Sequence, residues 1–191
     1  MKNLYLLKQE LSPDQAKVFE EIILQWEDTQ LAYKHVQKRY SGIKRNIKAI
    51  EKRLIVLMDS VPEKDHTPRW IEWEIASIEN KYKVIDKAIK NYKEVMQVFN
   101  KIVSMPNFRT FNPNHQNDWF IYNLKNPLSL ANHHINQALD AMRITKRYFH
   151  NISNTFKSHA ERVKLMKRYA AMPPPPAPVE QEVPDASYLP S

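Results

Sequence analysis

The sequence predicts an all-α protein, in which an elongated antiparallel helical hairpin is joined by a third long helix in a three-helix bundle. Three observations predict this class. Apolar residues recur in alternating steps of three and four, prolines separate the periodic segments, and Gly42 is the only glycine among 191 residues. An apolar period of 3.5 residues keeps one seam of a helix facing a neighbouring helix, as in coiled coils. We therefore expect the hairpin to occupy residues 12–105.

The first helix is predicted to begin at Ser12, which suits an N-cap and is followed by a proline and by Gln15 of a capping box. Residues 1–11 are out of phase with it, and we expect either a short docking helix or an N-terminal arm that binds a partner. The seam passes Gly42 without a change of phase, so we predict one continuous helix that ends near Pro62. The predicted core positions of this helix are Phe19, Ile22, Trp26, Thr29, Tyr33, Val36, Tyr40, Ile43, Ile47, Ile50, Leu54, Leu57 and Val61.

The second helix is predicted to begin at Thr67, again as a cap followed by a proline, and to end near Met105. The link before it is short, so we expect the second helix to run back antiparallel to the first. Its predicted core positions are Ile71, Ile75, Ile78, Tyr82, Ile85, Ile89, Tyr92, Met96, Phe99 and Val103.

Residues 106–127 interrupt the period with prolines, asparagines and aromatic residues. Disordered segments are poor in aromatics, so we expect this connecting loop to dock, capping the bundle. A surface on which nucleic-acid bases stack is the sharper alternative. The candidate aromatic surface is Phe108, Phe111, Trp119, Phe120 and Tyr122.

The third helix, residues 128–172, is predicted to start from a cap at Asn126 and Pro127. Its seam has smaller and more polar members, so it either completes the bundle or leaves part of its length for another subunit. The predicted seam is Leu128, Ala131, Ile135, Ala138, Met142, Thr145, Phe149, Ile152, Phe156, His159, Val163, Met166 and Ala170.

The same helix is rich in basic residues, which either bind an anionic partner such as nucleic acid or only solubilise the surface. These candidates are Arg143, Lys146, Arg147, Lys157, Arg162, Lys164, Lys167 and Arg168.

Residues 173–191 form a Pro-rich tail: a polyproline spacer followed by an acidic peptide with apolar anchors. Such a peptide cannot bury a core of its own, so we expect it to dock on a partner. The candidate docking residues are Pro173, Pro174, Pro175, Pro176, Tyr188 and Leu189.

The composition argues against an enzyme. With one glycine and no cysteine, the chain has no glycine-rich phosphate loop, no thiolate metal site and no cysteine nucleophile. The seven histidines lack the spacing of a helical metal site. Four carboxylates fall outside the second seam and are predicted to be solvated: Glu72, Glu74, Glu79 and Asp86. We predict no catalytic residue, no metal and no cofactor.

Three classes of function remain for a chain of net charge +8. The preferred one is a structural or assembly protein that binds other protein subunits, in a virion or a comparable particle. The second is a nucleic-acid-binding accessory protein. The third follows from long helices with basic faces, which are similar in outline to the BAR-domain architecture and would imply a membrane-surface scaffold. No signal peptide or transmembrane segment is recognisable, so we expect a cytoplasmic protein or one packaged from the cytoplasm.

Overall fold

The computed structural model describes residues 11–61, 66–105 and 121–172. The all-α prediction is confirmed, since these residues are almost entirely helical and contain no strand. The three helices are α1, Pro13–Met58, α2, Thr67–Val103, and α3, Asn126–Ala170. Contacts divide the chain into two units, Met1–Thr155 and Phe156–Ser191. The first unit contains the helix bundle.

Stacked tyrosines fix the direction of α2 against α1. The ring centroids of Tyr33 and Tyr92 lie 4.2 Å apart, and those of Tyr40 and Tyr82 lie 4.9 Å apart. As the residue number rises along α1 it falls along α2, so the hairpin is antiparallel as predicted. Burial raises the pKa of Tyr92 to about 12.

The start of α3 lies beside α1 and runs parallel to it. Lys125 Nζ lies 3.0 Å from Glu21 Oε2, and Gln25 Nε2 donates to Ser129 Oγ at 3.0 Å. Both residue numbers rise together across these two contacts. The helices of the first unit therefore form an up-down-up three-helix bundle.

The predicted seams make the core of this bundle. Every predicted core position of α1 and α2 is buried or half-buried. Two threonines at seam positions, Thr29 of α1 and Thr145 of α3, are buried as well. Each hydroxyl donates to the carbonyl oxygen four residues earlier, Thr29 to Gln25 at 2.7 Å and Thr145 to Ala141 at 2.8 Å. Because these hydroxyls are hydrogen-bonded locally, they can be buried at little cost.

Capping chemistry sets the start of α1. The Ser12 N–H donates to Gln15 Oε1 at 3.2 Å, and the Ser12 carbonyl accepts from the Ala16 N–H at 2.7 Å, which confirms the predicted capping box. The helix ends at Met58, a few residues before the predicted end, because residues preceding a proline disfavour helical backbone.

The predicted caps of α2 and α3 are each misplaced. The Trp70 N–H donates to the His66 carbonyl at 3.1 Å, so Thr67 is already helical and His66 takes the cap position. Asn126 is not a cap either, because a π-helical turn, Ile121–Lys125, leads directly into α3. Pro127 has no N–H to donate to the preceding turn, and such a gap in the hydrogen-bond ladder favours a wider turn.

Candidate docking surface

The basic residues of α3 that belong to the first unit lie on its surface. Arg143, Lys146 and Arg147 are all exposed. Arg143 Nη1 lies 2.9 Å from Asp140 Oδ1, in an ion pair within one turn of helix. Exposed pairs of this kind contribute about 0–1 kcal/mol, so this ion pair adds little to the stability of the fold.

The seam of α3 is buried along the first unit and becomes exposed in the second. Ile152 is fully buried and Phe156 is 7% exposed, whereas Met166 is 71% exposed. Met166 and Ala170 are exposed among the described residues, which agrees with the second of the two alternatives left for this helix, that part of its length stays outside its own bundle. The apolar period continues past the point where burial stops.

In the described part of the second unit, residues 156–172, α3 continues to Ala170 as a largely exposed amphipathic helix. Leu165, Met166, Tyr169 and Met172 leave about half or more of their surface in water. At 100° per residue, Met166 and Tyr169 fall on the side opposite Lys157, Lys164 and Arg168. Lys167 lies next to Val163, at the border between the apolar and the basic side. We call these apolar and basic residues together the α3 terminal surface.

The predicted basic set is thus divided between two places. Arg143, Lys146 and Arg147 belong to the bundle, and Lys157, Arg162, Lys164, Lys167 and Arg168 belong to the second unit, where all five are exposed. Arg162 falls on the apolar side of the α3 terminal surface rather than among the other cations. The sequence gives the positions of these charges but not the residue at which burial of the seam ends. It therefore could not separate the two groups.

His159 is a polar residue of the α3 seam that belongs to the second unit. It is half-buried, and its Nδ1 atom is buried without a hydrogen-bond partner among the described residues. The prediction that it occupies a seam position agrees with this burial.

Glu74 is the buried carboxylate that the sequence analysis placed in solvent. The side chain is 2% exposed, because its position on α2 faces α3 beside the Ile71 and Ile75 seam rather than water. Asn151 Nδ2 donates to Glu74 Oε1 at 3.3 Å, and Glu74 Oε2 is buried without a partner among the described residues. Burial raises the pKa of Glu74, and the hydrogen bond from Asn151 opposes that shift. The other three carboxylates of the predicted set are exposed.

An open groove lies between the outer sides of α2 and α3 in the first unit. The first part of the groove has a volume of about 510 Å³ and is lined by residues such as Val84, Ala88 and Ile144. Its second part encloses about 380 Å³ between Val98 and Leu130. The lining residues follow one another in steps of three and four along each helix, so the two parts lie along the same side. We call this the α2/α3 groove.

Sequence reasoning missed the groove although a signal for it exists. Trp70, Val84 and Val98 are exposed apolar residues of α2 at intervals of fourteen, and Met105 follows just after the helix at a further seven. They form a second apolar line beside the buried seam. A search for one seam per helix does not detect such a line.

Most of the predicted aromatic surface and all of the predicted tail lie outside the described residues. This applies to Phe108, Phe111, Trp119 and Phe120, and to the docking residues predicted between Pro173 and Leu189. Tyr122 is described, and its side chain is 71% exposed where it lines the second part of the α2/α3 groove.

Two further searches of the described residues bear on metal and membrane binding. Over residues 11–61, 66–105 and 121–172, no three His, Asp or Glu side chains are grouped as they would be around a metal ion. In the same residues, no helix combines the length and hydropathy needed to cross a bilayer.

Comparison of the chain with protein-family models, with curated proteins and with solved structures gives no match.

Proposed function

We propose that this protein is a non-enzymatic assembly protein, in which the helix bundle presents the α3 terminal surface to another protein subunit. The observation that carries the proposal is the exposure of Leu165, Met166, Tyr169 and Met172 on a helix whose seam is buried up to Phe156. An amphipathic helix buries its apolar side when it lies in a groove or beside another helix.

Chemistry supports a protein partner over a purely ionic one. The α3 terminal surface combines apolar side chains with cations, and interfaces between proteins bury apolar and aromatic anchors within a polar rim. Tyr169 and Met172 would supply such anchors, and Lys164 and Arg168 would supply the rim. An acidic rim on the partner would complete the match.

The setting we propose is a large particle such as a virion, with the Pro-rich tail as a second docking element next to α3. In the sequence, the proline-rich residues 173–178 follow α3 closely and precede the acidic peptide of residues 179–191, and proline-rich spacers are in general semi-rigid. Helix and tail would then bind neighbouring sites on the partner, each raising the effective concentration of the other.

The test replaces the four apolar residues of the α3 terminal surface by serine, as Leu165→Ser, Met166→Ser, Tyr169→Ser and Met172→Ser together. In cells that make the protein, the wild-type chain should sediment with a complex larger than the purified protein forms by itself, and the variant should sediment as the purified protein does. Helical content and thermal unfolding of the purified variant should match the wild type, because all four side chains are exposed. The proposal fails if the variant still sediments with the complex.

A matched control changes exposed apolar residues elsewhere, as Ile55→Ser, Val56→Ser and Met58→Ser near the end of α1. This control should still sediment with the complex. If both sets of substitutions release the protein equally, general loss of apolar surface is the cause and the α3 terminal surface has no special role.

A nucleic-acid partner is the second candidate, favoured by the exposure of all eight predicted basic residues of α3. Phosphate binding would weaken steeply with salt, since each neutralised phosphate releases counterions. Retention of the purified chain on nucleic acid should then be lost when Arg143, Arg147, Lys164 and Arg168 become glutamine. The serine variant described above would keep most of that retention, which distinguishes the two functions.

A further inference from the structure

We propose that the α2/α3 groove binds the outer face of α1 from a second copy of this chain, so that the bundle self-associates. The proposal concerns the first unit alone and does not depend on the α3 terminal surface. It joins two exposed features of one molecule, a groove and a ridge, that match in spacing, polarity and charge.

The groove has the features of a site for a helix. Its floor includes Ala88 and Ala141, two small residues that are 3% and 5% exposed and that allow a helix to approach closely. Its walls carry the exposed side chains Val84, Val98 and Leu130. In packed helices, a neighbour lies against residues repeated about every seven positions, and Val84, Asn91 and Val98 of the groove follow that repeat on α2.

The ridge is the outer face of the first half of α1. Leu24 is 56% exposed and Leu31 is 58% exposed, seven residues apart and so on one line of the helix. The core residues of the same segment, among them Ile22 and Thr29, face the other way into the bundle. The ridge of one chain therefore cannot reach the groove of the same chain, because α1 packs against α2 and α3 through its opposite side.

Charge complementarity selects this ridge as the occupant. Residues 12–33 carry a net charge of −4, from five acidic residues against Lys17. Lys81 and Lys87 line the groove with His134, and its one acidic lining residue, Asp140, is paired with Arg143 at 2.9 Å. A basic groove with apolar walls fits an acidic helix with an apolar line, and such complementarity fixes partner and register.

The experiment measures the mass of the purified full-length chain by sedimentation equilibrium in low salt. The wild type should exceed the 22.7 kDa of a single chain and approach it as salt is added, because the charges at the contact are screened. Two double variants should each be monomeric, Val84→Ser with Val98→Ser in the groove and Leu24→Ser with Leu31→Ser on the ridge. We expect each to weaken association by at least about tenfold, since residues at the centre of an interface carry most of its affinity.

Charge exchange tests whether the ridge is the partner of the groove. Lys81→Glu with Lys87→Glu should be monomeric, and so should Glu27→Lys with Asp28→Lys. A mixture of these two variants should associate again, since each supplies the surface that the other lacks. A matched control, Lys48→Glu with Lys52→Glu, makes the same charge change on exposed residues of the second half of α1 and should associate as the wild type does.

Three results would overturn the proposal. The first is a wild-type chain that stays monomeric at every concentration. The second is association that survives both serine double variants. The third is a groove variant that becomes monomeric while the ridge variant still associates, which would mean that another segment occupies the groove. The fourfold serine variant of the α3 terminal surface should self-associate normally, so failure of the proposed function and failure of this inference are separable.

Discussion

Burial of the ionised Glu74 carboxylate lowers the free energy of unfolding. This carboxylate is 2% exposed, and one of its oxygens has no partner in the part of the chain that the structure describes. It therefore loses most of its hydration in exchange for one hydrogen bond from Asn151. Because burial raises its pKa, the folded chain holds the proton more tightly than the unfolded chain does. Its contribution to stability is therefore complete below the unfolded pKa of about 4.3 and is lost as pH rises through the folded pKa.

We expect Glu74→Gln to remove this pH dependence. The free energy of unfolding of the variant, relative to the wild type, should be greater at pH 7 than at pH 4, as measured by urea unfolding at both values. Glu79→Gln, an exposed residue of the same helix, is the control and should show no such difference. Equal behaviour of the two variants would mean that the Glu74 carboxylate is hydrated in the folded protein.

Gly42 lies in α1 at a position where the structure does not require a glycine. Its backbone lies inside α1 without a positive φ, and a methyl group added at its Cα would meet no atom within 4 Å. Gly42→Ala should therefore raise the free energy of unfolding by about 0.5–1 kcal/mol, through helix propensity and a less flexible unfolded chain. The midpoint of urea unfolding measures this gain. A loss of stability instead would show that the helix bends or opens at this position.

At the scale of the helices, the hairpin seam carries the stability. Ile85 is fully buried, and Ile85→Ala should lower the free energy of unfolding by about 2–5 kcal/mol, through lost burial and the cavity left behind. Ile55→Ala, at a residue that is 60% exposed, should change it by less than about 0.5 kcal/mol. Chemical denaturation of both variants tests the assignment, and similar values for the two would contradict the seam.

The sequence predicted the helices well because a 3.5-residue period and proline punctuation are local signals. The positions of Phe19, Ile47 and Ile85 in the core follow from that period alone. Glu74 could not be placed in this way, because its burial depends on where α3 lies against α2, and that is a tertiary property. The caps at Thr67 and Asn126 were misplaced by a residue or a turn, since capping residues are also tolerated inside a first turn.

The candidate docking surfaces were less predictable than the core. The period of α3 continues through Met166 with no change in pattern, so nothing local marks the residue after which the seam loses its cover. Only the burial of Ile152 and Phe156, followed by the exposure of Met166, shows where cover stops. The charges of α3 were identified from sequence, whereas their separation into two groups required the structure.

At the scale of the molecule, exposed apolar residues recur at helical spacing on three surfaces. They are the α3 terminal surface, the α2/α3 groove and the outer face of α1. Monomeric proteins rarely expose contiguous apolar patches, and those that do generally use them to bind. We therefore expect these apolar lines, which the helix bundle leaves exposed, to be covered by other chains.

The most direct test of the central claim uses the absence of cysteine from the chain. Single variants Met166→Cys and Ile152→Cys are labelled with a thiol reagent, first as purified protein and then within the complex recovered from cells that make it. The account predicts rapid labelling of the cysteine at position 166 in the purified chain, protection of it in the complex, and slow labelling at position 152 in both. Equal, rapid labelling at position 166 in both states would contradict it, because the α3 terminal surface would then remain uncovered.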